Sequence, residues 1–130
     1  MRVSDRMTKN PATVAPSDTL AKAKALMDAG GFRRLPVFEK DRLVGIITER
    51  DLRQHSGYLD TTRVSGGMTA SPITVTPNTS IEDAARLMLQ HRIGGMPVVE
   101  NDQLVGVITA TDLIRALLDV IQASREIMND

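Results

Sequence analysis

The feature that most constrains this chain is an internal repeat. Met7-Thr8, Pro11, Thr13-Val14 and Pro16 return 61 residues later as Met68-Thr69, Pro72, Thr74-Val75 and Pro77. The offset continues without a gap: Leu26-Met27 becomes Leu87-Met88, and Pro36-Val37 becomes Pro97-Val98. Leu43-Val44-Gly45 becomes Leu104-Val105-Gly106, and Asp51-Leu52 becomes Asp112-Leu113. A gap-free match over about 48 positions marks a duplicated unit. Solenoids need three or more stacked repeats, so two copies predict a closed pair about a pseudo-twofold axis. A unit of ~60 residues alone buries only about 60% of its chain surface, so the two halves are expected to share one core. The copies occupy residues 1–56 and 68–130, and the Gly-containing stretch 57–67 reads as a linker.

Each copy parses alike. Pro11 to Val14 is a short extended piece. Asp18 or Thr19 is placed to cap a helix running to about Ala29, with Gly30-Gly31 as its stop. Leu20, Ala23 and Met27 fall on one face of that helix. In the second copy Thr79-Ser80-Ile81-Glu82 reads as a capping box with threonine at the cap. Leu35 to Phe38 and Leu43 to Thr48 predict an antiparallel hairpin around the polar turn Glu39 to Arg42, repeated at 96–99 and 104–109. The run Leu43 to Ile47 is apolar enough for burial on both faces. A second helix follows each hairpin, from about Glu49 and about Ala110. The last one carries a stripe of Leu113, Ile114, Leu117, Leu118 and Ile121, continuing to Ile127-Met128. Such a stripe either closes the core or forms a dimerisation face, and both uses are compatible.

Composition excludes several classes. Sixteen basic residues balance sixteen acidic ones, so there is no basic surplus to drive nucleic-acid binding. Phe32, Phe38 and Tyr58 are the only aromatics, too few for a base-stacking platform. The absence of cysteine rules out disulfides, zinc–thiolate sites and thiol nucleophiles, and suits a reducing compartment. No apolar run approaches a membrane span and the start lacks a signal-peptide stretch, so a soluble, cytoplasmic chain is expected. There is no Gly-x-Ser-x-Gly, Walker loop or His-Glu-x-x-His, and no nucleophile–base set, so an enzyme is not expected. His55 reads as a solvated linker residue, and His91 as a residue that suits the negative end of a helix.

One motif could carry chemistry: Gly45-Ile46-Ile47-Thr48-Glu49-Arg50-Asp51 and its twin Gly106-Val107-Ile108-Thr109-Ala110-Thr111-Asp112. Each sits where a buried strand turns into a helix. Threonine there could donate to a phosphate or sugar, aspartate could accept from a ribose diol, and glycine would let a flat ring approach the strand. Thr-x-x-Asp is equally a capping-box variant, and duplication does not decide between the two, because a copied cap is also a copy.

The whole unit resembles the CBS motif, named for cystathionine β-synthase. The resemblance rests on the opening Met-Thr-x-x-Pro-x-Thr-Val-x-Pro, the central Pro-Val, the Leu-Val-Gly strand ending in Ile-Thr, and the closing Asp-Leu. Two copies resemble a standalone CBS pair, or Bateman module. The resemblance implies an α/β (α+β) fold of two tandem β-α-β-β-α motifs. It also implies two inter-motif clefts that take adenosine-containing ligands: AMP, ADP, ATP, NAD(H) or S-adenosylmethionine. By position, Asp51 and Asp112 would each hold a ribose diol, and Thr48 and Thr109 would touch ribose or phosphate. Arg50 would face phosphate, with Thr111 in its place in the second copy. Thr13-Val14 and Thr74-Val75, with the backbone before Pro36 and Pro97, would line the adenine slots. Arg33, Arg34, His91 and Arg92 are further phosphate candidates.

Because Glu49-Arg50 stands opposite Ala110-Thr111, the two sites are expected to be unequal. The implied role is regulation and energy sensing through an unidentified partner protein, as a homodimer, with no required cofactor or metal. A purely structural interaction module with unused clefts is the competing reading.

Overall fold

The structure, a computed structural model, describes residues 1–129. In chain order the elements are β1 (Thr8–Lys9), α1 (Leu20–Gly30), β2 (Arg34–Glu39), β3 (Arg42–Thr48) and α2 (Glu49–Gln54), then β4 (Thr69–Ala70), α3 (Ile81–His91), β5 (Gly95–Glu100), β6 (Gln103–Thr109) and α4 (Ala110–Asn129). They form two three-stranded sheets, β2-β3-β4 and β1-β6-β5. The mixed α/β class and the paired repeat are as expected.

The local signals explain the elements. Thr19 caps α1, its hydroxyl accepting from the Lys22 N–H at 3.1 Å, and Gly31 ends the helix at φ 72°. Both hairpins turn on two residues of positive φ, Lys40-Asp41 and Asn101-Asp102, the turn whose twist matches that of the strands. The α3 cap differs from expectation. Ser80, not Thr79, accepts from the Asp83 N–H at 3.0 Å, while Thr79 accepts from the Thr76 N–H one turn earlier. Two adjacent hydroxyl residues compete for one cap, and the one in register with Thr19 wins.

The opening strand of each copy joins the sheet of the other. Thr8 and Lys9 pair with Val107 and Gly106, and Thr69 and Ala70 pair with Ile46 and Gly45. This crossing explains both glycines. A Cβ on Gly45 would lie 2.8 Å from the Thr69 carbonyl and 2.7 Å from Met68 Sδ; on Gly106 it would lie 2.7 Å from the Thr8 carbonyl and 2.8 Å from Met7 Sδ. Gly45 and Gly106 therefore admit the exchanged strand, not the ligand ring expected of them.

The expected single core is in fact two. One cluster holds Val14, Leu20, Ala23, Met27, Leu35, Val37, Ile47, Leu52 and Val64; the other holds Val3, Val75, Ala84, Met88, Met96, Val98 and Ile108. In each unit the helices cover one face of its sheet, so the sheet itself separates that cluster from its twin. Val3 and Val64, 61 residues apart, are both fully buried from one-turn 3-10 helices at Val3–Asp5 and Val64–Gly66. Residues 57–67, read above as a linker, thus place Val64 in the first cluster, with Leu59 packed against it. His55 is not a free linker residue either: its Nδ1 lies 3.0 Å from the Asp51 carbonyl at the end of α2.

α4 closes little of the core. Ala116 is buried, and Leu113 packs against the second cluster. Ile114, Leu117 and Leu118 are more than half exposed (58%, 57% and 59%). Among the described residues no helix is long and apolar enough to cross a membrane.

Candidate functional site

Two clefts lie between the units, related by the repeat. The larger, about 830 Å³, is walled by Ile46 and Thr48 to Asp51 from the first copy, and by Thr69, Ser71 to Ile73 and Arg92 to Gly95 from the second. The smaller, about 550 Å³, is walled by Val107 and Thr109 to Asp112, and by Thr8, Pro11-Ala12 and Gly31 to Leu35. Both fall in the range of small-molecule sites. Each has a helix start from one copy and an opening strand from the other, so neither copy alone could form one.

At each helix start the geometry is the same. The Thr48 N–H and hydroxyl both donate to Asp51 Oδ2 at 2.9 Å, and the Asp51 N–H donates back to Thr48 Oγ1 at 3.2 Å. Thr109 and Asp112 repeat this at 2.8, 2.9 and 3.3 Å. The motif is therefore a complete capping box. In this geometry the threonine hydroxyl donates to aspartate and helps to fix the carboxylate. Oδ1 receives no donor from the described residues, in either copy. Each cleft thus presents one carboxylate oxygen, rigidly held and half-buried, able to accept from a hydroxyl.

The remaining expected residues divide. Arg50, Arg34 and Arg92 line the larger cleft, and Thr111 and Arg34 the smaller, with Arg33 on both. Arg92 takes the place of Gly31 at its helix end and holds the left-handed conformation at φ 55°, which costs ~1 kcal/mol for a residue with a side chain.

Thr13, Val14, Thr74, Val75, Pro36 and Pro97 line neither cleft. Val14 and Val75 are core residues, bridged to Val37 and Val98 at the outer edge of each sheet, and Thr13 and Thr74 are exposed beside them. Pro36 is buried mid-strand: Val14 donates to its carbonyl and accepts from the Phe38 N–H, so the missing N–H faces the sheet edge, where it costs nothing. Pro97 sits in the same way beside Val75. The backbone ahead of each proline does reach a cleft, through Leu35 next to Pro36 and through Gly95 two residues before Pro97. His91, also expected near phosphate, lies outside both clefts at the exposed end of α3.

Sequence reasoning missed the apolar slots. Ile46, Pro72, Ile73 and Ile93 form one, and Val107, Pro11, Ala12 and Phe32 the other. Pro11 and Pro72, both visible in the repeat, were the available signal. Arg115 was also missed; it lies three residues beyond Asp112, on the same helix face.

The electrostatics favour anions. Arg53 is paired with Glu49 at 3.1 Å, whereas Arg33, Arg34, Arg50, Arg92 and Arg115 make no ion pair among the described residues. Burial, and then the neighbouring charge of Arg33, lower the Arg34 pKa from its ordinary value; the group stays charged.

Comparison with known proteins agrees with this geometry. The chain is 38% identical over 114 residues to the CBS domain-containing protein YhcV of Bacillus subtilis, covering 85% of this chain and 81% of that protein. It also matches inosine-5'-monophosphate dehydrogenases such as that of Korarchaeum cryptofilum at 36% identity, spanning 23% of that enzyme's length. Among solved structures, CBSX2 of Arabidopsis thaliana in complex with AMP superposes with a TM-score of 0.79 at 32% identity, over 92% of this chain and 97% of that one. The CBS domain pair of MJ0100, in complex with 5'-methylthioadenosine and S-adenosyl-L-methionine, superposes with a TM-score of 0.84 at 26% identity, over 90% and 95%. The CBS domain family matches residues 3–57 and again residues 63–119, and the chain belongs to that family as a pair of CBS domains.

Proposed function

We propose that the chain is a regulatory module that binds an adenosyl ligand between its two units and passes occupancy to a partner protein. The carrying observation is the twin carboxylate: Asp51 and Asp112 each present a fixed, unshared Oδ1 beside an apolar slot. A ribose diol suits the oxygen, and a purine suits the slot. The AMP complex of CBSX2 and the 5'-methylthioadenosine and S-adenosyl-L-methionine complex of the MJ0100 pair support the ligand class. Arginines without carboxylate partners favour the phosphate-bearing members, AMP, ADP, ATP or NAD(H), over S-adenosylmethionine, and suit energy sensing.

Both copies wall each cleft, so a ligand's affinity depends on the angle between them, which is the condition for a binding event to shift that angle. The module acts by binding, not catalysis. Asp51 and Asp112 occupy equivalent places in a repeat and do not share one site as acid and base. A chain without cysteine suits the reducing cytoplasm.

One observation favours a second reading, the structural interaction module. The capping box is complete without any ligand, so it accounts for Thr-x-x-Asp by itself. A thermal-shift panel of AMP, ADP, ATP, NAD, NADH and S-adenosylmethionine separates the two. A ligand at about 100 times its Kd adds ~2.7 kcal/mol, a rise of several degrees for a domain of this size. No rise with any of the six would leave the clefts unused and the interaction module standing.

The module is proposed to act as a homodimer through α4. Ile114, Leu117, Leu118 and Ile121 form a half-exposed apolar face on one long helix, and a second copy of the same face covers it by isologous packing. Light scattering at micromolar concentration should report a dimer, and Leu117→Glu combined with Leu118→Glu should halve the mass. A monomeric wild type would count against the dimer.

A further inference from the structure

The two copies differ at one place that lies between both clefts. Arg33-Arg34 stands where the second copy, 61 residues on, has Gly94-Gly95. The arginine and the glycines fit one another across the pseudo-twofold axis. A Cβ on Gly95 would lie 2.3 Å from Arg34 Nη1 and 2.7 Å from its Cδ; a Cβ on Gly94 would lie 3.0 Å from Nη2. Side chains on both copies would collide here, so one copy supplies an arginine and the other the room for it. Arg34 consequently lines both clefts, half-buried, and makes no ion pair among the described residues.

An exact duplicate would give each cleft its own cation at this depth, whereas here a single half-buried guanidinium, that of Arg34, faces two sites. We propose, resting on the nucleotide reading above, that Arg34 is a phosphate contact shared by both clefts, so that two phosphate-bearing ligands bind with mutual antagonism. The first phosphate claims the guanidinium, and the second ligand binds without it. Were both phosphates to share its N–H groups, their like charges would stand a guanidinium's width apart and repel. The half-buried setting sharpens the competition, since water screens it less than at the surface. Arg33, exposed, borders both clefts as well; the Asp51 cleft, with Arg50 and Arg92 besides, fills first, whereas the Asp112 cleft adds only Arg115. A neutral nucleoside escapes the antagonism.

Calorimetric titration of AMP and of adenosine tests this, using wild type, Asp51→Ala, Arg34→Gln and Gly95→Ala. A hydrogen bond to a charged group accounts for about ten- to hundredfold in affinity, and that is the expected gap between the two AMP steps of wild type. Disabling the Asp51 cleft releases Arg34. In Asp51→Ala the Asp112 cleft is therefore expected to bind AMP tighter than the wild-type second step, by the same factor. In Arg34→Gln, adding Asp51→Ala should produce no such gain. Gly95→Ala pushes the guanidinium off the axis while keeping its charge, and should likewise uncouple the clefts. Adenosine should fill both clefts of wild type without antagonism.

An Asp112 cleft that binds AMP equally well with the other cleft filled or disabled overturns the shared arginine and leaves the nucleotide reading intact. Equal antagonism between two adenosines overturns it too, because charge is then not the cause. No binding of either AMP or adenosine overturns it together with the phosphate-bearing reading.

Discussion

A chain lacking residues 1–10 is expected to keep its first unit folded and lose its second. The missing segment is remote in sequence from what it completes. Val3 is fully buried in the second cluster, Met7 packs against it, and β1 pairs with β6. The Val3 and Ser4 N–H groups donate to the carbonyls of Thr79 and Pro77 at 2.8 and 3.0 Å, and the Ile81 N–H donates to the Met1 carbonyl at 3.1 Å. A fully buried valine contributes ~1.5–3 kcal/mol, and each backbone hydrogen bond about 1 kcal/mol net. Together these approach the whole stability of a 60-residue unit, roughly 3–9 kcal/mol.

The first cluster draws on residues between Ala12 and Met68 and loses nothing. Hydrogen exchange should show protection surviving in α1, β2 and β3 and vanishing in α3, β5 and β6. Uniform loss, or uniform retention, would mean that the exchanged segment does not complete one particular unit. The gentler substitution Val3→Ala should cost about 2 kcal/mol and unfold the second unit before the first in urea.

Asp51→Ala and Asp112→Ala should each weaken ligand binding in their own cleft by about ten- to hundredfold, the worth of a charge-assisted hydrogen bond. Each should also lower the melting temperature of the free protein, because the same carboxylate caps a helix and a lost cap costs ~1 kcal/mol. The two effects are separable. If the carboxylate serves only the helix, the free protein melts earlier but the ligand-induced rise is unchanged. If it also holds the ribose, the rise shrinks or disappears in the variant whose cleft is occupied. Thermal shift reads both quantities in one plate, and calorimetry fixes the affinity.

The sequence revealed elements, not their partners. Periodicity, caps and turns placed the four α-helices and both hairpins, because those signals are local; the one-turn 3-10 helices at Val3–Asp5 and Val64–Gly66 were not foreseen. A 61-residue repeat, however, has no intrinsic origin. Met7-Thr8 and Met68-Thr69 open each copy in the sequence, yet in space each completes the other copy's sheet. The same ambiguity of partner misassigned Gly45 and Gly106 to a ligand. It also aimed Thr13-Val14 at the cleft, where Pro11-Ala12 lie, since an extended segment does not disclose which face turns inward. The capping role of the aspartates, and their place on the cleft walls, was legible because Thr-x-x-Asp is a local signal at a strand-to-helix junction. Arg34 was named, but its position on the axis was not; the clue lay in the glycines opposite it at the same offset.

The strand exchange also imposes an order in time. The residues that complete the first unit have all been made by Ala70, so it can close while the rest of the chain is still being made. β1 must wait for Val107, its partner in β6. At ~5–20 residues per second, that wait is about 5–20 s, during which Val3 and Met7 have no core to enter. Residues made early are thus placed late, and the second unit cannot finish folding until Val107 has left the ribosome.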